Sequence, residues 1–187
     1  MTDPTDLDLE DSSLSRIASL AEACTACELY EEATQVVFGV DPQRSSIMLL
    51  GEQPGDRKDR AGQPFVGPAG EMLDDALGAA GIARDDVYVT NVVKHFRFEV
   101  RGKKRLHKTP TRRHVAACRP WLQAELARVQ PDVIVALGGS AAQSLLERSF
   151  RGPLRSWSPD RVGRCAGGPH DPPVVRAQVV GRQETKR

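Results

Sequence analysis

Apolar residues along this chain follow two different spacings. Between Ser13 and Ala23 they recur every three to four positions, which predicts an amphipathic helix. Residues 47–50 instead form a continuous apolar run that ends at a glycine, as expected of a strand buried on both faces. Two similar runs, residues 87–90 and 133–137, predict two further strands.

The segments between these strands carry helix signals. Pro68 fits the first turn of a helix that Gly81 ends, and Thr111 can cap a helix over residues 112–129. A last short helix is predicted over residues 140–146. Because strands and helices alternate, the sequence predicts an α/β fold, a three-layer α/β/α arrangement with a mostly parallel central sheet.

The chain is divided into three parts by its composition. Its 187 residues, 40% of them hydrophobic, suit one globular domain, which we place at residues 13–150. Residues 1–12 are predicted to be an acidic, flexible N-terminus without signal-peptide order, and residues 151–187 an anomalous tail. Apolar runs are too short for a membrane span. We therefore expect a cytoplasmic monomer without a membrane partner.

Positive charge is concentrated in one block although the net charge is only +1. Between Lys94 and Arg119 ten basic residues accompany a single acid, Glu99. Such a block is either a solvated loop or a surface that contacts phosphates. His107 lies inside it, after a predicted strand, and this favours the phosphate-contacting surface.

Three loops follow the predicted strands: residues 51–55, 91–96 and 138–140. In a parallel sheet the ligand crevice lies beyond the carboxyl ends of the strands, so these loops locate a site. The first loop lacks the lysine of a phosphate-binding loop. Its glycines allow close approach of a ligand, and Glu52 can act as a base.

Cysteines form a second candidate centre. Cys24 and Cys27 have the spacing of a metal-binding pair, and Cys118 and His95 can complete four ligands. A structural zinc ion and an iron–sulfur cluster are both compatible with this set, and unliganded thiols are the alternative. Cys165 lies in the anomalous tail and is a poor candidate.

Four sequence blocks, taken in order, resemble the type-4, iron–sulfur uracil-DNA glycosylases. The blocks are Gly51–Asp56, Gly62–Gly70, Val89–Lys94 and Cys118–Leu122, within a similarity that runs from about Cys24 to Leu146. The resemblance implies excision of uracil from DNA, by flipping the base out of the stack because the glycosidic bond is inaccessible within it.

The resemblance also implies roles for individual residues. Glu52 becomes the catalytic or water-handling acid, Phe65 the aromatic that stacks on uracil, and Asn91 the amide that reads its edge. The predicted uracil-binding residues are Gln53, Gly55, Asp56, Phe65 and Asn91. A 4Fe-4S cluster is implied on Cys24, Cys27, His95 and Cys118, where His95 stands at a position that is usually a cysteine in the family.

An insertion at residues 101–110 resembles the basic, histidine-ending loop of the X-type subfamily. In that subfamily the loop histidine, here His107, attacks the sugar C1′ after uracil departs and remains joined to the DNA. A neutral imidazole is a competent nucleophile near pH 7, and Glu52 can orient or deprotonate it. The predicted DNA contacts are Lys103, Lys104, Arg105 and Lys108, and the expected partner is uracil-containing DNA, including single strands.

The second family motif, His-Pro-Ser near the C-terminus, is absent from the sequence. One choice of codons for residues 170–176, read one base later, encodes Thr-Ile-His-Pro-Ser-Ser-Val. This suggests a frameshift between Phe150 and Arg161, which would truncate the fold at its C-terminal part and weaken catalysis. His170 is therefore not equated with the family histidine. The alternatives are a catalytically impaired DNA-binding protein with a structural cluster and a zinc-binding nucleotide hydrolase.

Overall fold

The elements follow the predicted alternation of strands and helices. The computed structural model describes residues 3–9, 12–40, 42 and 44–146. The strands in this part of the chain are β1 Ile47–Gly51, β2 Val87–Asn91, β3 Phe98–Arg101, β4 Lys104–His107 and β5 Val133–Ala136. The helices are α1 Leu14–Ala21, α2 Leu29–Glu32, α3 Asp56–Ala61, α4 Pro68–Ala79, α5 Arg112–Val129 and α6 Gly139–Leu146.

The central sheet has the order β2-β1-β5 and its pairs are parallel, as predicted. Ile47 lies opposite both Val87 and Val133, so the three strands start level with one another. At the other end of β1, Gly51 is paired with Asn91. The carboxyl ends of the strands therefore share one edge of the sheet, where the site was expected.

Helices cover both faces of this sheet. Met48 and Leu50 pack in one core with residues of α5 and α6, whereas Leu49 packs on the other face with Leu77 of α4. Successive side chains of a strand point to opposite faces, so a strand covered on both sides needs apolar residues throughout. The arrangement is the three-layer α/β/α fold predicted from the sequence.

Two segments predicted as loops contain regular structure. Residues 51–68 include α3, and the basic insertion is an antiparallel hairpin of β3 and β4. Gly102 and Lys103 form its two-residue turn, in which Gly102 has a φ of 61° that suits glycine. These two strands were not predicted, because basic side chains interrupt their short alternation of apolar residues.

The described part of the acidic N-terminal segment lies against the domain. Pro4–Asp6 form a short 3-10 helix that contacts α5, and the side chains of Pro4 and Leu9 are buried. The flexibility predicted for residues 1–12 therefore does not extend to Pro4 and Leu9. The predictions for the tail, its frameshift and its truncation lie outside the described residues. No described helix is long and apolar enough to cross a membrane.

A buried ion pair joins β2 to α5. The ammonium of Lys94 lies 2.5 Å from Oε2 of Glu125, and both side chains are almost completely buried. Lys94 also donates to the Thr90 hydroxyl, while Oε1 of Glu125 accepts from the hydroxyls of Tyr88 and Thr90 and from the backbone N–H of Gly39. Each charge is thus paired and hydrogen-bonded, as burial requires.

Replacing Glu125 by alanine leaves the Lys94 ammonium buried without its carboxylate. We expect the free energy of unfolding to fall by about 3–5 kcal/mol, as for other broken buried pairs, in urea denaturation. The double variant Lys94→Met/Glu125→Leu removes both charges and should lose less than Glu125→Ala alone. A Glu125→Ala protein with the wild-type urea midpoint, or a double variant that is the less stable of the two, contradicts this role.

Candidate active site

The edge where β1 and β2 end is extended by two further hydrogen bonds. Val92 donates its N–H to the carbonyl of Gly51 at 2.9 Å, and Val93 donates to the carbonyl of Glu52 at 3.0 Å. These bonds continue the pairing of the strands into the loops that follow them. Glu52 is therefore held beside the chain that leaves Asn91.

Gly51, Phe65 and Asn91 lie against one another at this edge, and we call their surroundings the candidate pocket. A Cβ atom on Gly51 would lie 2.4 Å from Oδ1 of Asn91 and 2.8 Å from Cζ of Phe65, so only glycine leaves room for both side chains. The amide nitrogen and oxygen of Asn91 are buried and have no hydrogen-bond partner among the described residues. A buried amide without partners is costly, which makes Asn91 a candidate contact for a polar ligand.

Phe65 is held in a conformation that non-glycine residues rarely adopt. Its φ is 58°, and a Cβ on Gly70 would lie 1.6 Å from the Phe65 carbonyl oxygen. Gly70, in the first turn of α4, thus allows the helix to pack directly on the backbone of Phe65. Backbone strain of this kind is concentrated at functional sites.

Glu52 and His107 face each other across the site. Nε2 of His107 lies 3.5 Å from Oε2 of Glu52, and Oε1 of Glu52 is buried without a partner among the described residues. The Glu52 side chain is 22% exposed and that of His107 46% exposed, so both can meet a ligand. Glu52 also borders an open cleft of about 380 Å³, together with Val92, Thr109 and Ser140.

Gln53 holds the base of the hairpin. Its amide nitrogen donates to the carbonyls of Arg97 and Lys108, and its amide oxygen accepts from the N–H of Arg97. The side chain predicted to bind uracil is therefore occupied with the two ends of the hairpin. Its effect on the site is to fix the position from which β4 presents His107.

Arg105 holds the middle of the hairpin against α3. Its guanidinium forms ion pairs with Asp56 and with Asp59, 2.8 Å away in the second case, and lies over the rings of Phe96 and Phe98. The Arg105 side chain is only 14% exposed. Arg105 was expected to contact DNA and Asp56 to contact uracil, but the structure engages each with the other.

The remaining basic residues predicted to contact DNA are exposed. Lys103 and Lys104 lie at the turn of the hairpin, and Lys108 forms an exposed ion pair of 3.3 Å with Glu99. Gly55 starts α3 in open space, since a Cβ there would meet nothing within 4 Å. The hairpin therefore presents positive charge to solvent on the side away from the sheet.

Cys24, Cys27 and Cys118 are buried free thiols that lie near one another. Burial raises the pKa of Cys118 to about 12 and also raises that of Cys27, and the neighbouring thiols act on both in the same direction. Nε1 of Trp121 donates to the sulfur of Cys24 at 3.2 Å. Within the described residues no three His, Cys, Asp or Glu side chains converge on one point as the ligands of a single metal ion do.

His95, the fourth predicted ligand of this set, follows Lys94 in the loop after β2. The backbone N–H of the preceding residue, Lys94, faces the sulfur of Cys118 and opposes the rise in the pKa of that thiol. Burial lowers the pKa of His95 to about 4, which keeps its ring neutral, and its Nδ1 has no partner among the described residues. A neutral imidazole with a free nitrogen can act as a ligand, so the four residues fit a metal cofactor in their chemistry.

Comparison with known proteins decides the family. A family model described as the uracil DNA glycosylase superfamily matches residues 38–179, more than half of the chain. The chain belongs to this superfamily. The match begins at the segment that precedes β1 and extends beyond α6 into the residues predicted to be an anomalous tail.

Curated relatives within the superfamily carry the name type-4 uracil-DNA glycosylase. The protein from Thermotoga maritima is 41% identical over 125 residues, which are 67% of this chain and 62% of the relative. The protein from Pyrobaculum aerophilum is 37% identical over 155 residues, 83% of this chain and 74% of the relative. That from Archaeoglobus fulgidus is 37% identical over 131 residues, 70% of this chain and 62% of the relative. The chain thus spans less than two thirds of two of these relatives.

Sequence reasoning missed three residues of this superfamily site. Asp59 anchors Arg105 and also accepts from the backbone N–H of Thr34, and Gly70 makes room for Phe65. Lys58 lies over the Phe65 ring. Asp59 and Lys58 stand in a segment read as a polar loop. The helical spacing from Asp56 to Arg60, which form an i,i+4 ion pair, was the available signal.

Because Gly51 lies against Asn91 and Phe65, alanine substitutions at Gly51 and at Gly78 should differ in their effect on the unfolding free energy. Gly51→Ala forces Asn91 and Phe65 apart and should cost about 1–3 kcal/mol of unfolding free energy in urea denaturation, as overpacking does. Gly78→Ala, exposed in α4 with open space at its Cβ, should be neutral or stabilising by up to about 1 kcal/mol. Equal unfolding free energies for the two variants would mean that the pocket is not closely packed at Gly51.

Proposed function

We propose that this protein excises uracil from DNA and is then captured covalently on the abasic sugar by His107. The observation that carries the proposal is the buried, unpartnered amide of Asn91 beside the ring of Phe65. An amide offers one acceptor and one donor, which match the N3–H and O4 of uracil. The flat ring supplies a stacking surface for a base taken out of the helix.

Discrimination against cytosine follows from the same amide. Cytosine presents an acceptor at N3 and a donor at its 4-amino group, the reverse of uracil. Oδ1 of Asn91 lies against Gly51, and discrimination requires that the amide keep this orientation. A site built to hydrogen-bond one pattern rejects the opposite pattern strongly, because its own buried groups are then left unpaired.

Capture by His107 follows departure of the base. The C1′–N1 bond breaks and its electron pair leaves with uracil, so C1′ becomes electron-poor. A ring nitrogen of His107 donates its lone pair to C1′ to form a new N–C bond, and the imidazole proton passes to Glu52, 3.5 Å away. Gln53 and Arg105 keep the hairpin in place for this attack.

The cofactor proposed for the thiols is a 4Fe-4S cluster held by Cys24, Cys27, Cys118 and His95. Three neighbouring buried thiols and a neutral imidazole are ligand types that an iron–sulfur cluster accepts. The indole N–H of Trp121 donates to the sulfur of Cys24, and the backbone N–H of Lys94 faces the sulfur of Cys118, as is favourable for thiolates. When bound, the cluster would serve as a structural link between residues 24–27 and α5.

DNA is proposed to run over the hairpin. Lys103, Lys104 and Lys108 are exposed there and would contact phosphates, which makes binding sensitive to salt. An exposed, unpaired strand delivers its base without the cost of opening a duplex, so single-stranded uracil DNA is included among the substrates. We further propose that the protein acts as a monomer in the cytoplasm.

A second candidate function is binding of DNA without turnover. The His-Pro-Ser motif of type-4 enzymes is absent from the sequence, and its histidine would assist departure of uracil. On this alternative the cluster and the basic hairpin serve binding alone. The two candidates differ in whether free uracil is released.

The covalent step is tested with single-stranded DNA that contains one uracil. The wild-type protein should give a slowly migrating band on a denaturing gel and release free uracil, because the N–C bond survives denaturation. His107→Ala should lose the band. Val100→Ala, at an exposed position of the same hairpin, should keep it, and DNA with thymine in place of uracil should give none.

Three other results decide between the candidates. Release of uracil without a band removes the covalent step but leaves the glycosylase. Binding of DNA with no release of uracil supports the second candidate. A band that persists in His107→Ala assigns the attack to another residue.

The cluster is tested on protein purified without oxygen. Iron, sulfide and a broad visible absorbance are expected, and Cys118→Ser should lose most of the absorbance because one corner of the cluster loses its ligand. Cys165→Ser is the matched control and should retain it. Zinc in place of iron contradicts the cluster, and undiminished absorbance in His95→Ala removes His95 from the ligand set.

A further inference from the structure

Lys58 is a cation without an acidic partner at the edge of the pocket. Its ammonium lies 4.0 Å from the centroid of the Phe65 ring. None of the ion pairs among the described residues includes Lys58. The acids of its own helix, Asp56 and Asp59, are both paired with Arg105. The charge of Lys58 is therefore free to act on a ligand.

The environment of Lys58 strengthens such an effect. The side chain is half-buried, and burial lowers its pKa to about 8, so the amine is still largely protonated at neutral pH. A partly desolvated ammonium attracts a nearby negative charge more strongly than one in water does. The same aromatic ring that Lys58 covers also borders Gly51 and Asn91.

Other cations near this pocket are already paired: the Lys94 ammonium, which donates to the Asn91 carbonyl, is held by Glu125. Phe65 and Asn91 are neutral, and Glu52 is an acid. Arg105, although close to α3, is held by two carboxylates. Yet rupture of the C1′–N1 bond sends an electron pair into the base, which departs as an anion with charge on its two carbonyl oxygens. A cation placed at that anion lowers the barrier.

We propose that Lys58 is a catalytic residue that stabilises the departing uracil anion, an inference that rests on the proposed function. In the free protein the ammonium lies on the face of Phe65. A cation–π contact at a half-exposed site is weak and the lysine stem is flexible, so the entering base displaces the ammonium to its own edge. There Lys58 donates a hydrogen bond to a uracil oxygen and keeps its proton, and the anion later takes a proton from water.

The role is tested by single-turnover release of uracil from single-stranded DNA. Lys58→Met should slow release by about 100-fold, the usual effect of removing one donor to a developing anion, while DNA affinity stays unchanged. Lys58→Arg keeps the charge and should retain most of the rate. Lys58→Gln provides a second neutral variant if the methionine variant folds poorly.

A better leaving group separates charge stabilisation from a structural role. Fluorine at C5 withdraws electrons, so 5-fluorouracil departs as a more stable anion and needs the cation less. The loss caused by Lys58→Met should therefore be clearly smaller for 5-fluorouracil than for uracil. An equal loss for both bases, or none for uracil, overturns the inference while the glycosylase function stands. If the wild-type protein releases no uracil, the proposed function fails and this inference fails with it.

Discussion

The buried pair of Lys94 and Glu125 is the interaction on which both centres of this domain depend. Lys94 follows β2; its ammonium donates to the Asn91 carbonyl at 2.8 Å, and its backbone N–H faces the sulfur of Cys118. Glu125 lies on α5, the helix that carries Cys118. Two buried charges must stay in contact, because separating them would leave each charge buried and unpaired. The pocket at the end of β2 and the Cys118 thiol on α5 are thereby fixed relative to one another.

The hairpin shows how a reactive side chain can be exposed and still have a defined position. A two-stranded hairpin is marginally stable alone. Here Gln53 binds both ends of it and Arg105 attaches its middle to α3, so the conformational cost is met by contacts outside the hairpin. His107, the last residue of β4, remains 46% exposed at the end of this supported strand. Preorganisation of the attacking group is what an intramolecular capture requires.

The sheet could be predicted from sequence because its strands are buried on both faces and therefore read as continuous apolar runs. The loops at their ends, with Glu52 and Asn91, followed from parallel topology. The uses of Gln53 and Arg105 could not be predicted, since a polar residue near a site looks the same whether it meets a ligand or another side chain. Both partners of Arg105 are on α3, 46 to 49 positions away, a separation that no local pattern reveals.

Unsatisfied polar atoms at Asn91 and Glu52 need a compensating source of stability. The nearby network of Lys94, Glu125 and Thr90 is fully bonded, so the cost of the pocket is confined to atoms that face a ligand. A base that enters and satisfies the Asn91 amide regains this cost as binding energy. With covalent capture, each protein molecule would react only once, because the nucleophile is consumed. On the proposed function, such a site would suit retention of uracil-containing DNA better than rapid turnover.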